Sequence, residues 1–82
     1  MVKIIYDDKF KKFISKTKDN LFMLKIKKQI RKIIQNPEIG KPMKNVRKGT
    51  REIYVSPFRI SYVFHKNKDT IEFLEVYHKK KQ

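Results

Sequence analysis

From position 58 to 65 the chain reads FRISYVFH, in which Phe58, Ile60, Tyr62 and Phe64 alternate with Arg59, Ser61, Val63 and His65. Only an extended strand sends successive side chains to opposite faces, so this stretch buries one face and turns the other away from the core. It therefore demands an apolar layer to pack against. The N-terminal half carries one. After Asp7 and Asp8, either of which can cap a helix, Phe10, Phe13, Ile14 and Thr17 recur at three- and four-residue spacing with lysines between them. That period predicts an amphipathic helix over about residues 8–17. Asp19 and Asn20 open a second stripe of Phe22, Ile26, Ile30, Ile33 and Ile34, which stops at Asn36-Pro37 and predicts a helix over about 20–35. The link between the two patterns is short, so the helices form an antiparallel hairpin with both stripes facing the same layer.

The remaining strand signals lie on either side of that hairpin. Residues 2–6 (VKIIY) are β-branched and aromatic, 52–55 alternate with Ile53 and Val55 on one face, and 71–77 follow the turn residues Asn67-Lys68-Asp69. The order β-α-α-β-β-β predicts an α+β fold of two layers. In it, the helix hairpin packs on one face of a mainly antiparallel four-stranded sheet, as a single domain over residues 1–82. Residues 37–50 hold both glycines and two of the three prolines. A connection of that length in a compact domain signals either function or a short strand.

Charge narrows the class of partner. Eighteen Lys and four Arg against eight acids give a formal charge of +14, above the magnitude of about 2 to 8 usual for a small soluble domain. Such a surface suits a polyanion. Apolar residues are 39%, with six Phe and four Tyr, enough for a core rather than wholesale disorder. The absence of cysteine excludes a disulfide framework, a cysteine nucleophile and a thiolate zinc site, and two histidines with scattered acids predict neither metal nor cofactor. No apolar run approaches the roughly 18 residues of a membrane span, and the N-terminus lacks a secretory h-region, so a cytoplasmic protein is expected.

Within this frame the basic stretch KPMKNVRKGTR, residues 41–51, is the strongest candidate for phosphate contact. Lys41, Lys44, Arg47, Lys48 and Arg51 follow one another without an acid, so the stretch is either a phosphate-binding loop or a solvated lysine-rich surface. Arg59 sits mid-strand on the face away from the helices. It serves either as a bidentate phosphate fork or as the cross-strand partner of Glu52 or Glu75. Tyr54 has the parity opposite Ile53 and Val55, which makes it either a sheet residue or a base-stacking platform. His78, followed by Lys79, Lys80 and Lys81, is either an acid or base in catalysis or part of a chain end without a role; its parity groups it with Glu72, Leu74 and Val76.

The words NPEIGKPM, GTREIYV, SPFRISYVF and IEFLEVYHKK, in this order of elements, resemble the RelE/ParE superfamily of toxins from bacterial and archaeal toxin–antitoxin systems. The resemblance covers nearly the whole chain, and the word around Arg59 is its most specific element. It implies one of two activities. RelE-like members are ribosome-dependent mRNA endoribonucleases that cleave without metal by attack of a ribose 2′-OH on the adjacent phosphate, whereas ParE-like members inhibit DNA gyrase. A basic nucleic-acid-binding protein of the same fold without catalysis is the third alternative. In the nuclease branch Arg59 occupies the position of the phosphate-binding arginine, and Lys79 falls where many members carry a second catalytic arginine. Lys48 and Arg51 lie near the family's basic residues before and within the strand 52–55, Arg51 being counted with Arg59 and Lys79 as catalytic, and His78 is a possible acid or base. The chain departs from the pattern where many members place a Tyr or His after the basic pair, since Tyr77 precedes it. The partners implied are an acidic antitoxin and mRNA on the ribosome.

Overall fold

The computed structural model describes residues 2–81; Met1 and Gln82, the ends of the expected domain and of its charged tail, lie outside the described residues. Strand β1 (Lys3–Tyr6) leads into helix α1 (Asp8–Lys16) and helix α2 (Asn20–Gln35). The strands β2 (Lys41–Pro42), β3 (Arg51–Val55), β4 (Phe58–His65) and β5 (Thr70–His78) follow. They form one sheet in the order β1-β5-β4-β3-β2, in which β1 runs parallel to β5 and all other pairs are antiparallel. The expected α+β architecture, a helix hairpin on a mainly antiparallel sheet, is the one observed. The strand number is corrected from four to five. The extra strand, β2, lies inside the stretch 37–50 and pairs Lys41 with Glu52 and Pro42 with Arg51. Two residues, one a proline at a sheet edge, have no periodicity to read.

The helices form for local reasons. The Asp19 carboxylate accepts from the Phe22 backbone N–H at 3.1 Å, capping α2, while Asp8 places a negative charge in the first turn of α1. Their stripes bury Phe10, Ile26 and Ile33 against Val55, Ile60, Tyr62, Ile71, Phe73 and Val76 of the sheet. Phe13, Phe22 and Phe58 meet with ring centroids 5.2 to 6.1 Å apart, beside the hairpin's link and the turn between β3 and β4. The period-two stripe of β4 thus faces the helices as its sequence requires.

Tyr62 also fixes the chain leaving α2. Its hydroxyl donates to the Pro37 carbonyl and accepts from the Gly40 N–H, both at 2.8 Å. A Cβ at position 40 would lie 2.5 Å from that hydroxyl, so only glycine lets the backbone come this close. Arg51 completes the fastening by donating from Nη1 to the carbonyls of Glu38 and Gly40 at 2.9 and 2.8 Å. On β5, Phe73 pairs with Tyr62 and Glu75 with Ser61, which leaves Leu74 as one extra residue, a β-bulge. Beyond it every β5 side chain changes face relative to simple alternation.

A candidate nucleic-acid interface

Register places two rows of side chains on the sheet face away from the helices. One is Lys41, Glu52, Ser61 and Glu75; the other is Tyr54, Arg59 and Tyr77. This face is not bare. The loop after β2 makes a 3₁₀ turn, Asn45–Arg47, between left-handed residues at Asn45 (φ 61°) and Gly49 (φ 97°). The Thr50 hydroxyl donates to the Arg47 carbonyl at 2.7 Å and the Met43 N–H to the Thr50 carbonyl at 3.0 Å, closing the loop on itself. Arg47 is thereby laid across the sheet, its guanidinium carbon 4.4 Å from the centre of the Tyr77 ring.

Glu52 lies at the centre of the cluster. Its side chain is 3% exposed, yet it carries a carboxylate, and it is surrounded by donors. Oε1 lies 3.3 Å from Arg59 Nη1, while Oε2 lies 3.6 Å from Arg47 Nη1 and accepts from the Tyr77 hydroxyl at 2.5 Å. Arg47 Nη1 is also 3.6 Å from Glu75 Oε2, so it bridges two carboxylates. Ser61, between them in the row, has a buried hydroxyl oxygen without a partner among the described residues. Burial pushes the Tyr77 phenol above its ordinary 10.0, and the hydrogen bond and charge of Glu52 push the same way, against the opposing pull of Arg47 and Arg59. Tyr77 is thus a protonated donor at neutral pH. At the rim, Tyr54 is 53% exposed and Lys79 Nζ stands 5.5 Å from its ring centre. A cavity of about 170 Å³ opens beside it, lined by Lys41, Met43, Glu52, Ile53, Tyr54 and Arg59.

The structure therefore brings together Arg59, Arg47, Lys79, Lys41 and Tyr54 on one face, with Lys44 and Lys48 exposed on the adjoining loop. Arg51 and His78 are not on it. Arg51 pairs with Tyr62 on the helix-facing side and is committed to loop carbonyls. His78 pairs with Phe58, packs edge-on against its ring at 5.4 Å and accepts from the Lys80 N–H. The expected grouping of His78 with Glu72 is corrected by the bulge at Leu74, and the same bulge brings Tyr77 to the cluster, which alternation from Ile71 does not reveal. Of the two partners open to Arg59, Glu52 takes it and Glu75 holds Arg47. Among the described residues no group of three or more His, Asp or Glu side chains is arranged to hold a metal, and no helix is long and apolar enough to cross a membrane.

A helix hairpin backing a sheet whose free face carries clustered arginines defines a class of small basic α+β proteins, and the comparisons with known proteins give the family within it. The model of the ParE toxin of type II toxin–antitoxin systems, parDE, matches residues 4–82. The chain belongs to this family, within the RelE/ParE toxin superfamily, and is a toxin of a type II toxin–antitoxin system. Among solved structures it resembles a chain of the intact RelBE toxin–antitoxin complex of Escherichia coli, with a TM-score of 0.80, 16% identity, and coverage of 95% of this chain and 96% of that one. It also resembles a chain of the RelBE2 complex of Mycobacterium tuberculosis (TM-score 0.79, 16% identity, 95% and 98% covered). YafQ of Escherichia coli follows (TM-score 0.73, 20% identity, 98% and 96% covered). At these identities the likeness is one of fold. No curated protein sequence matches the chain.

Proposed function

We propose that this toxin is a RelE-like mRNA endoribonuclease that acts in the cytoplasm on ribosome-bound message, and that an acidic antitoxin holds it inactive. The observation that carries the reading is the convergence of Arg59, Lys79 and Lys41 around the exposed ring of Tyr54, with Arg47 over the Tyr77 ring on the same sheet face. An exposed aromatic among cations is the arrangement that takes single-stranded nucleic acid, the ring stacking a base while the cations follow the backbone. In the reaction the ribose 2′-oxygen bonds to phosphorus as the 5′-oxygen leaves, giving a 2′,3′-cyclic phosphate and a 5′-hydroxyl, with one proton lost from the first oxygen and one gained by the second. Arg59 stabilises the charge that develops on the phosphoryl oxygens, and Lys79 adds a point charge beside it. Tyr77 is held protonated and His78 faces the other way, so the described residues of the face supply charge stabilisation and positioning. A surface at +14 also favours fast electrostatic association with an acidic antitoxin.

The test is to add the purified protein to ribosomes translating a defined mRNA, beside ribosome-free mRNA and an Arg59→Ala variant, and to map new 5′ ends by primer extension. Cuts in the ribosomal A site that fall about 100-fold or more with the variant are expected, the scale of losing one transition-state donor. A folded wild-type protein that makes no cuts overturns the reading. A second reading, inhibition of DNA gyrase, is favoured by the ParE family match. Its signature is loss of gyrase supercoiling with cellular mRNA intact.

A further inference from the structure

A chain with 22 basic and eight acidic residues places two of its acids, Glu52 and Glu75, in one row on either side of Ser61, on the face that gathers its cations. General attraction to a polyanion would be served better without them. Their geometry gives the reason. The Glu52 side chain lies in the sheet floor, 3% exposed, against arginine side chains that are 26% and 33% exposed. It touches Arg59 through Nη1 alone, in a group that carries five N–H donors in a planar fork, and Arg47 likewise through Nη1. The Tyr77 phenol, on Oε2, fixes the carboxylate. Arg47 is gripped on a second side by Glu75 and from a third by the Tyr77 ring. An arginine loses much rotamer freedom on binding a ligand, and a buried carboxylate that holds it beforehand removes that cost.

We infer that Glu52 is a positioning residue, which acts through Arg59 and Arg47 to present them as a paired fork for one phosphodiester of a single-stranded nucleic acid. The inference rests on the reading of this face as a nucleic-acid site, and it makes a prediction of opposite sign to simple charge counting. Glu52→Gln keeps the shape and an acceptor oxygen but removes one negative charge, taking the formal charge from +14 to +15. Charge counting says that affinity for nucleic acid rises; positioning says that it falls. Both arginine side chains are part-exposed, so water can reach them in the variant and the fold is expected to survive.

The experiment measures binding of a single-stranded 2′-deoxy oligonucleotide, which cannot be cleaved, to the full chain and to Glu52→Gln, Glu75→Gln and Arg59→Ala, with folding checked by circular dichroism. Affinity falls about tenfold in Glu52→Gln, the size expected when a coupled network loses its centre, and less in Glu75→Gln. Unchanged or tighter binding by a folded Glu52→Gln overturns the inference. If Arg59→Ala binds as well as wild type, the face is not the nucleic-acid site, and the proposed function and this inference fall together. If Arg59→Ala weakens binding while Glu52→Gln does not, the inference alone falls. Should Glu52→Gln not fold, ¹⁵N relaxation of the arginine Nε–H groups in the wild type decides it: Arg47 and Arg59 are expected to be ordered relative to exposed Arg31, and equal mobility of the three overturns the proposal.

Discussion

At the scale of single residues, Tyr62 bears more of the structure than its place in an apolar stripe suggests. Its ring is buried among the core side chains, and its hydroxyl takes up a backbone carbonyl and a backbone N–H that would otherwise be left unpaired beside Gly40. Replacing it with Phe keeps the packing and strands both backbone groups, which is expected to cost about 1–3 kcal/mol in chemical denaturation at neutral pH. Burial raises its phenol above the ordinary 10.0, against the weaker pull of the Gly40 N–H and the Arg51 charge. A raised value means that the unfolded chain loses this proton first. Stability from Tyr62 is therefore complete below the ordinary phenol value and declines as pH climbs past it toward the folded one. The lead of wild type over Tyr62→Phe should shrink across that alkaline range. A lead that is constant with pH would show that the hydroxyl is not held as described.

At the scale of elements, the bulge at Leu74 decides what the C-terminal strand offers to each face. It turns Tyr77 to the arginines and His78 to Phe58, so two neighbours with plausible chemistry are separated by the thickness of the sheet. His78→Ala is then expected to lower stability by about 1 kcal/mol through the lost aromatic contact, while leaving mRNA cleavage within a few-fold of wild type. A cleavage rate that drops as far as in Arg59→Ala would place the imidazole in the chemistry after all. This element also shows what a sequence can and cannot disclose. The helix hairpin and β4 were legible because apolar side chains recur with a period there, Phe22 to Ile34 in one case and Phe58 to Phe64 in the other. A bulge changes register without changing composition, and the two-residue β2 is held by backbone pairing alone, so neither leaves a mark in the pattern. For the same reason Arg59 was readable from parity and Tyr77 was not. Arg47 stood out as a basic loop residue, but its place over Tyr77 depends on two left-handed residues flanking it.

At the scale of the whole molecule, the charge of +14 matters less than where the eight acids have gone. Asp7 and Asp8 lie at the start of α1, and Asp19 caps α2. Asp69 takes a left-handed turn position at φ 47°. Glu38 pairs with Lys66 at 3.7 Å, Glu72 with His65 at 3.2 Å, and Glu52 and Glu75 hold the arginines. Most of the acids have a local role, and most of the lysines remain as a general positive field. Such a field binds any polyanion at low salt, so specific contact has to be separated from it. The number of cations released on binding makes that separation. If Lys41, Lys79 and the paired fork of Arg47 and Arg59 each meet one phosphate of a single strand, a plot of log affinity against log salt has a slope of about −2, from roughly −0.7 for each phosphate neutralised. Arg59→Ala should flatten it by up to about 0.7, since the fork is left with Arg47 alone, and also weaken binding at every salt concentration. A much steeper slope that Arg59→Ala leaves untouched would mean that the strand is held by the lysine field, with no ordered contact at the sheet.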